Sequence, residues 1–485
     1  MVARANIVAH HRAGRLKYVI AQGSEYISEN PLDFKVLALM ADAYLTLGLV
    51  TQADQLYSIL CSQDRSALFL TGLGLAKSSM GHFKEAKSLL KEALAVDPDY
   101  VAAWSGFAEI HRFRRDDPMF KRLQKALGRN KSKPDVSRNL HYLMCKAMND
   151  MGKWTNAWRC AERGAALADR SYDPTALQRW HQDQAQVATA ELLAQDKQQD
   201  VPSDGLIFIV GMPRSGTSLL ETMLSNCQGV LGCGELCFVS DIARSMPEKD
   251  IAAGRAFANH AWLSDWSLEA RTTAAKAYVD DLAVRGGNQT YTRFVDKFPG
   301  NIICLPHIAR LFPNARILRM HRNPLDTCIS CFQGQFSGGN TYTYDAGHLA
   351  QTYAAYKASG DVMVPRLPNP VLDIHYEDLV SQPKGEMQRI LGFLDIPWTP
   401  ACLSPEQSTT PCVTRSRGQI RTGITQKAVE RWRRYGDLAA PLARELVRNG
   451  VDIGQASQLL KGENVRTDGF WSKFLRASTP GGVAA

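Results

Sequence analysis

Two rhythms of apolar and polar positions divide the chain. Over residues 1–170, small residues recur at fixed offsets: Gly48 precedes Ala53, Gly81 precedes Ala86 and Gly152 precedes Ala157. Gly48 and Gly81 lie 33 residues apart, and Ala93 and Pro98 follow Ala86 at +7 and +12. Gly14 stands 17 residues before Pro31, just as Gly81 stands 17 before Pro98. Such a period predicts pairs of helices, each pair stacked on the next, with small residues at the close approaches and proline closing the second helix. The stretch near Arg114–Asp117 lacks the glycine and the first unit looks clipped, so irregularity is expected at both places. A polar, Gln- and Ala-rich stretch from Leu177 to Asp200 predicts one further helix, and Pro202–Gly205 marks a boundary.

Beyond Leu206 the rhythm changes. Ile207 to Val210 form an unbroken apolar run that reads as a buried central strand. Gly211 to Ser218 turn the chain, and Leu219, Leu220, Met223 and Leu224 then recur at helical spacing. Strands are expected again within Tyr291–Asn301, short and followed by a polar loop, at Ala315–His321 and at Val371–Leu379, with helical stretches between them. This alternation predicts an α/β domain around a central parallel sheet, with ligands at the strands' C-terminal ends. Residues 473–485, ending Ser-Thr-Pro-Gly-Gly-Val-Ala-Ala, read as a disordered tail.

Composition narrows this picture modestly. A length of 485 residues suggests two to four domains. The net charge of +9 favours anionic partners: a nucleotide, an acidic peptide, a nucleic acid or an anionic glycan. A basic cluster, Arg112, Arg114, Arg115, Lys121, Arg122, Lys125, Arg129, Lys131 and Lys133, is either a solvated face or a dock for an acidic peptide. No apolar run reaches the length of a membrane span, and the first residues lack a signal peptide's apolar block, so a cytoplasmic protein without a membrane anchor is expected. The 11 cysteines suit reduced, buried thiols. Cys233/Cys237 and Cys328/Cys331 have only weak zinc-ligand spacing, and no metal is expected.

The stretch Gly-Met-Pro-Arg-Ser-Gly-Thr-Ser at 211–218 carries the first chemistry. A strand, a glycine-bounded loop and a helix together point backbone N–H groups and a helix N-terminus at one anion. Gly211 and Gly216 have the spacing of a nucleoside-triphosphate loop, but Thr217 occupies the position of its lysine and Ser218 follows. Without that lysine the loop is poorly equipped for phosphoryl transfer. It can still grip a terminal phosphate or phosphosulfate, with Arg214 supplying charge.

Pro213-Arg214-Ser215-Gly216-Thr217-Ser218 resembles the 5′-phosphosulfate loop of sulfotransferases that use 3′-phosphoadenosine 5′-phosphosulfate (PAPS). It is most similar to the branch holding the tyrosylprotein sulfotransferases and the bacterial sulfotransferases with tetratricopeptide repeats, and the period of residues 1–170 matches that repeat. The resemblance implies a tetratricopeptide solenoid at 1–170, a helical connector at 171–204 and a P-loop-type sulfotransferase domain at 205–472. Cys233-Gly234-Glu235 is similar to the segment that carries the family's catalytic base, although that family has two successive glutamates and Leu236 stands second here. Asp296-Lys297-Phe298-Pro299-Gly300-Asn301 resembles the motif whose lysine meets the bridging oxygen as the S–O bond breaks. Arg322, with Ser330 eight residues later, resembles the 3′-phosphate grip, a forked cation plus a hydroxyl donor. The segment around Ser416 and Gln419, with Trp432 and Tyr435 beyond it, resembles the part that covers the donor. It adds Ser416 as a donor to the sulfuryl group and Arg421 to the nucleotide contacts.

The implied reaction moves the sulfuryl group from PAPS to an acceptor hydroxyl, leaving adenosine 3′,5′-bisphosphate. The acceptor is a peptide (a protein tyrosine included), a glycan or a small molecule. A protein partner is expected on the repeats, and no nucleic acid. Tyr376 in Tyr-Glu-Asp-Leu reads as structural, and His375 as a packing residue rather than a catalytic one. Two rivals stay open: a catalytically inactive repeat scaffold with a nucleotide-binding sulfotransferase fold, and an ATP-dependent kinase or nucleotidase.

Overall fold

The computed structural model describes residues 2–168, 171–195, 201–243, 245, 262–286, 290–336, 340–408, 410, 418, 423–467 and 469–478. The chain divides into two compact units. One holds Met1–Leu167 with Glu406–Gly423, and the other holds Ala168–Pro405 with Ile424–Ala485.

The first unit contains the helices α1 (Val2–Arg12), α2 (Leu16–Glu29), α3 (Phe34–Thr46), α4 (Val50–Gln63), α5 (Ala67–Ser79), α6 (Phe83–Val96), α7 (Val101–Ile110), α8 (Pro118–Arg129), α9 (Pro134–Asp150) and α10 (Trp154–Ala166). Four of the five odd-to-even turns carry a glycine in the left-handed region, at Gly14, Gly48, Gly81 and Gly152. An L-residue pays for that conformation, which is why glycine recurs there. The alanines that follow at the fixed offset are fully buried: Ala53, Ala86 and Ala157 are all 0% exposed. The fifth turn, between α7 and α8, has no glycine and is longer. Phe113 is buried in it, and its backbone N–H donates to Asp150 Oδ2 at 2.9 Å. An open groove of about 580 Å³ lies here, lined by Lys87, His111, Arg112, Arg114, Arg115 and their neighbours Asp116 to Pro118. Other members of the basic cluster are spent internally. Arg122 donates to Leu94 O, and Arg129 pairs with Asp99.

The second unit is built on five parallel strands, β1 (Leu206–Gly211), β2 (Val230–Gly232), β3 (Arg293–Asp296), β4 (Arg316–His321) and β5 (Val371–His375), in the order β2-β3-β1-β4-β5. Strand β1 is central and buried along its length. Its period-2 alternation feeds two cores: Leu206, Phe208 and Val210 pack with Tyr278, Leu305 and Ile308, while Ile207 and Ile209 pack with Leu220, Met223 and Leu318. Both faces are therefore covered, as a parallel sheet requires.

Several expectations need correction. The single helix foreseen at Leu177–Asp200 is two, α11 (Pro174–Val187) and α12 (Ala190–Ala194), because Thr189 caps a new start by accepting the Leu192 N–H. They dock on the sheet unit rather than merely connect: Gln184 Nε2 donates to Ile303 O at 3.0 Å and Leu193 is fully buried. Residues 473–478 of the tail foreseen at 473–485 belong to a helix, Phe470–Ser478, anchored by Trp471, which is 1% exposed, and the rest of that stretch lies outside the described residues. Cys237 is exposed rather than buried. No helix of the described residues is long and apolar enough to cross a membrane.

Candidate active site

Because all five strands run the same way, their C-terminal ends share one edge. The chain leaves each strand there through candidate chemistry. β1 passes into Gly211–Ser218, β2 leads towards Glu235, β3 to Lys297, β4 to Arg322 and β5 to Tyr376. Register then decides which of these meet. The β1–β4 pairing ends at Gly211 opposite Met320, and β4–β5 ends at His321 opposite His375. The β2–β3 ladder runs on past its last paired residues, with Cys233 N donating to Val295 O and Lys297 N to Gly234 O, both at 2.9 Å.

The loop after β1 needs its glycines. A Cβ at Gly211 would lie 2.6 Å from Met320 O, and one at Gly216, where φ is +103°, would lie 2.5 Å from the Tyr376 ring. Arg214 is itself left-handed, with φ +72°. For a non-glycine residue this costs about 1–2 kcal/mol, strain of the kind held at functional sites. The bend is fixed by two contacts across the β1–β4 pair. Arg214 Nε donates to Ser330 Oγ at 3.1 Å, and Arg322 Nη1 donates to Arg214 O at 2.9 Å. Pro213 O accepts from the Cys331 thiol. The next helix, α13 (Thr217–Ser225), starts immediately, with Thr217 and Ser218 both buried in its first turn. Ser215 is 1% exposed, and its hydroxyl has no hydrogen-bond partner among the described residues. A buried hydroxyl in a loop of this shape fits an anion acceptor.

Arg322 is held from three sides. It donates through Nη2 to Ala428 O at 2.6 Å, and its guanidinium lies 4.7 Å from the centre of the Tyr376 ring. Burial pulls its pKa below the usual value, with Asp326 opposing that effect. Its Nε is buried, with no hydrogen-bond partner among the described residues. The helix Pro324–Phe332, capped by Asn323, brings Ser330 round to Arg214. Asp326 in turn receives the backbone N–H of Trp432 at 2.9 Å, and Tyr435 donates to Gln333, tying the Trp-Arg-Arg-Tyr segment to this helix.

Lys297 is 0% exposed and donates to Glu235 Oε1 at 2.7 Å. A second carboxylate lies 3.8 Å from the same ammonium, that of Glu221 on α13, whose Oε1 accepts the Gly234 N–H at 2.8 Å. Burial pushes the Glu221 carboxyl up, against the opposing pull of Lys297 and the Gly234 N–H. The Glu235 side chain is 44% exposed. One carboxylate therefore faces solvent and the other is sealed in, with a buried cation between them.

The sequence-derived candidates thus form two neighbouring groups, Arg214–Ser330–Arg322 with the loop and Lys297–Glu235. Ser416 and Arg421 lie outside the described residues. Sequence reasoning missed Glu221, which looks like one polar position of an amphipathic helix. It also took Tyr376 as structural, whereas its ring backs both Gly216 and Arg322. His375 does not pack inside: it is exposed and stacks on His321 at 5.1 Å. Among the described residues no group of three or more His, Cys, Asp or Glu is placed to hold a metal ion.

A covered parallel sheet whose central strand runs through a glycine-bounded loop into a helix is a geometry suited to holding an anion. Residues 206–400 match the model of the sulfotransferase family. The domain is a sulfotransferase domain related to the tyrosylprotein branch. The chain is 26% identical over 381 residues to an uncharacterised protein of Aquifex aeolicus (strain VF5), covering 77% of this chain and 49% of that one. It is 28% identical over 236 residues to protein-tyrosine sulfotransferase A of Caenorhabditis elegans, covering 47% of this chain and 60% of the nematode protein. The match thus spans less than two thirds of the length of each of these relatives. Among solved structures, the sulfotransferase domain of the Synechococcus PCC 7002 olefin synthase aligns with a TM-score of 0.34 and 22% identity, over 51% of this chain and 98% of that one.

Proposed function

We propose that the protein transfers the sulfuryl group of PAPS to a hydroxyl of a protein or peptide, tyrosine foremost. The observation that carries this is the joined pair of anion grips: a lysine-free loop after β1 and Arg322 after β4, linked through Arg214 to Ser330. Two separate grips suit a donor with a 5′-phosphosulfate and a distinct 3′-phosphate, and ATP has no 3′-phosphate. The buried hydroxyl of Ser215, without a hydrogen-bond partner among the described residues, supports an anion at the loop. The relationship to protein-tyrosine sulfotransferases supports the acceptor class.

In this reading Pro213 to Ser218 cradle the 5′ end of the donor. Arg322 and Ser330 hold the 3′-phosphate and so fix the donor's register. Glu235, open to solvent, takes the acceptor's proton as its oxygen bonds to sulfur. Lys297 and Arg214 stabilise negative charge on the departing 5′-phosphate oxygen as the S–O bond breaks. To act as the base, Glu235 must loosen its bond to Lys297, which the donor's own negative charge would encourage. Ser416 and Arg421 complete the donor site on the family resemblance alone. The helical unit is proposed to be a tetratricopeptide array, supported by the left-handed glycines that close its turns. Its groove at Arg112, Arg114 and Arg115 suits an acidic protein segment.

Transfer of radiolabelled sulfate from PAPS to a tyrosine peptide, with its phenylalanine counterpart as control, tests the reaction. Glu235→Gln should lower kcat by roughly 10²–10⁴ while leaving donor affinity nearly unchanged. An unaltered kcat would remove Glu235 from the mechanism, and label on the phenylalanine peptide would remove tyrosine as acceptor.

A further inference from the structure

Glu221 is a buried carboxyl group that the mechanism above does not use. It sits in α13, the helix opened by the anion loop, four residues beyond Thr217. Its carboxylate faces away from solvent, is 8% exposed, and meets two groups that belong to the other half of the site. Oε1 accepts the N–H of Gly234, the residue before Glu235, at 2.8 Å. Oε2 lies 3.8 Å from Lys297 Nζ. The segment it grips is packed close to α13: a Cβ at Gly232 would lie 2.3 Å from Ser225 Oγ and 3.3 Å from Glu221 Cγ. Gly234 has open space around its Cβ position but a φ of +73°, so its glycine serves the bend and not the fit. A left-handed bend beside an exposed carboxylate needs an anchor to hold one conformation, and the Glu221 bond supplies it.

We infer that Glu221 is a positioning residue for the sulfuryl-transfer site, holding Glu235 at its working place through Gly234 and bracketing the Lys297 ammonium together with Glu235. The inference rests on the functional reading above. Being on the helix that starts at the anion loop, Glu221 also fixes the distance between donor loop and base, which a helix does more rigidly than a loop could. The Lys297 ammonium lies between two carboxylates, so when it turns from Glu235 towards the reacting group it keeps a counter-charge, and the buried cation is never left alone.

Two substitutions separate this from a general structural role. Glu221→Ala removes both the anchor and the charge. Glu221→Gln keeps an oxygen that can accept the Gly234 N–H. Each is compared with wild type by residue-resolved amide hydrogen exchange at Gly234, by adenosine 3′,5′-bisphosphate affinity, and by kcat for PAPS with a tyrosine peptide. In Glu221→Ala we expect Gly234 to lose about tenfold or more of its protection, with kcat about 30- to 100-fold lower and bisphosphate affinity within about threefold. In Glu221→Gln protection should persist and kcat should recover at least about tenfold over Glu221→Ala. Unchanged protection or unchanged kcat in Glu221→Ala overturns the inference, as does a loss of bisphosphate affinity that matches the loss of kcat. A wild type that binds no bisphosphate overturns the functional reading instead, and the exchange measurement then still decides whether Glu221 anchors Gly234.

Discussion

Lys297, Glu221 and Arg322 are buried at this site, and burial makes each dependent on a named partner. Lys297 would be costly to bury alone, and two carboxylates meet it. Asp296, its neighbour, is the opposite case. Burial pushes its carboxyl up to about 7, with the hydroxyl of Tyr278, donated at 2.9 Å, working the other way. The folded protein therefore keeps a proton on Asp296 across a range in which the unfolded chain has released it. Asp296 thus subtracts stability as pH rises from about 4 to about 7, and the cost stays in full above that. Asp296→Asn can still accept from Tyr278 but cannot ionise. Urea unfolding should show it close to wild type at pH 4.5 and more stable than wild type at pH 8. Equal loss of stability at both values would mean that the carboxylate is needed as an anion.

At the scale of elements, the anion loop, the strands and the repeating helical turns were legible because each rests on local rules. Four apolar residues before a glycine loop make β1, and a left-handed turn asks for glycine. The latter can be tested within one unit. Gly81→Ala, at φ +88°, should cost about 1–2 kcal/mol, whereas Gly128→Ala, near the end of α8 with nothing within 4 Å of its Cβ position, should add about 0.4–1 kcal/mol. Chemical denaturation of the two variants gives the answer, and equal effects would refute the account of those turns. What was not legible depends on contacts distant in sequence. Glu221 is buried because Lys297, 76 positions later, arrives beside it through the β2–β3 register. Tyr376 becomes part of the site only because β5 pairs with β4. The helix at Phe470–Ser478 was hidden by the Thr-Pro-Gly-Gly sequence that follows it, although Phe470, Trp471 and Phe474 carry a helical spacing.

For the whole molecule, we propose that one edge of one parallel sheet forms a site for a nucleotide with phosphates at both the 3′ and 5′ positions. Its most direct test is a calorimetric titration of adenosine 3′,5′-bisphosphate, with ATP–Mg²⁺ as competitor, on wild type and Arg322→Ala. Metal-independent binding in the micromolar range is expected, roughly 10- to 100-fold weaker without Arg322, with little competition from ATP. Absence of binding, or a magnesium-dependent preference for ATP, would contradict it.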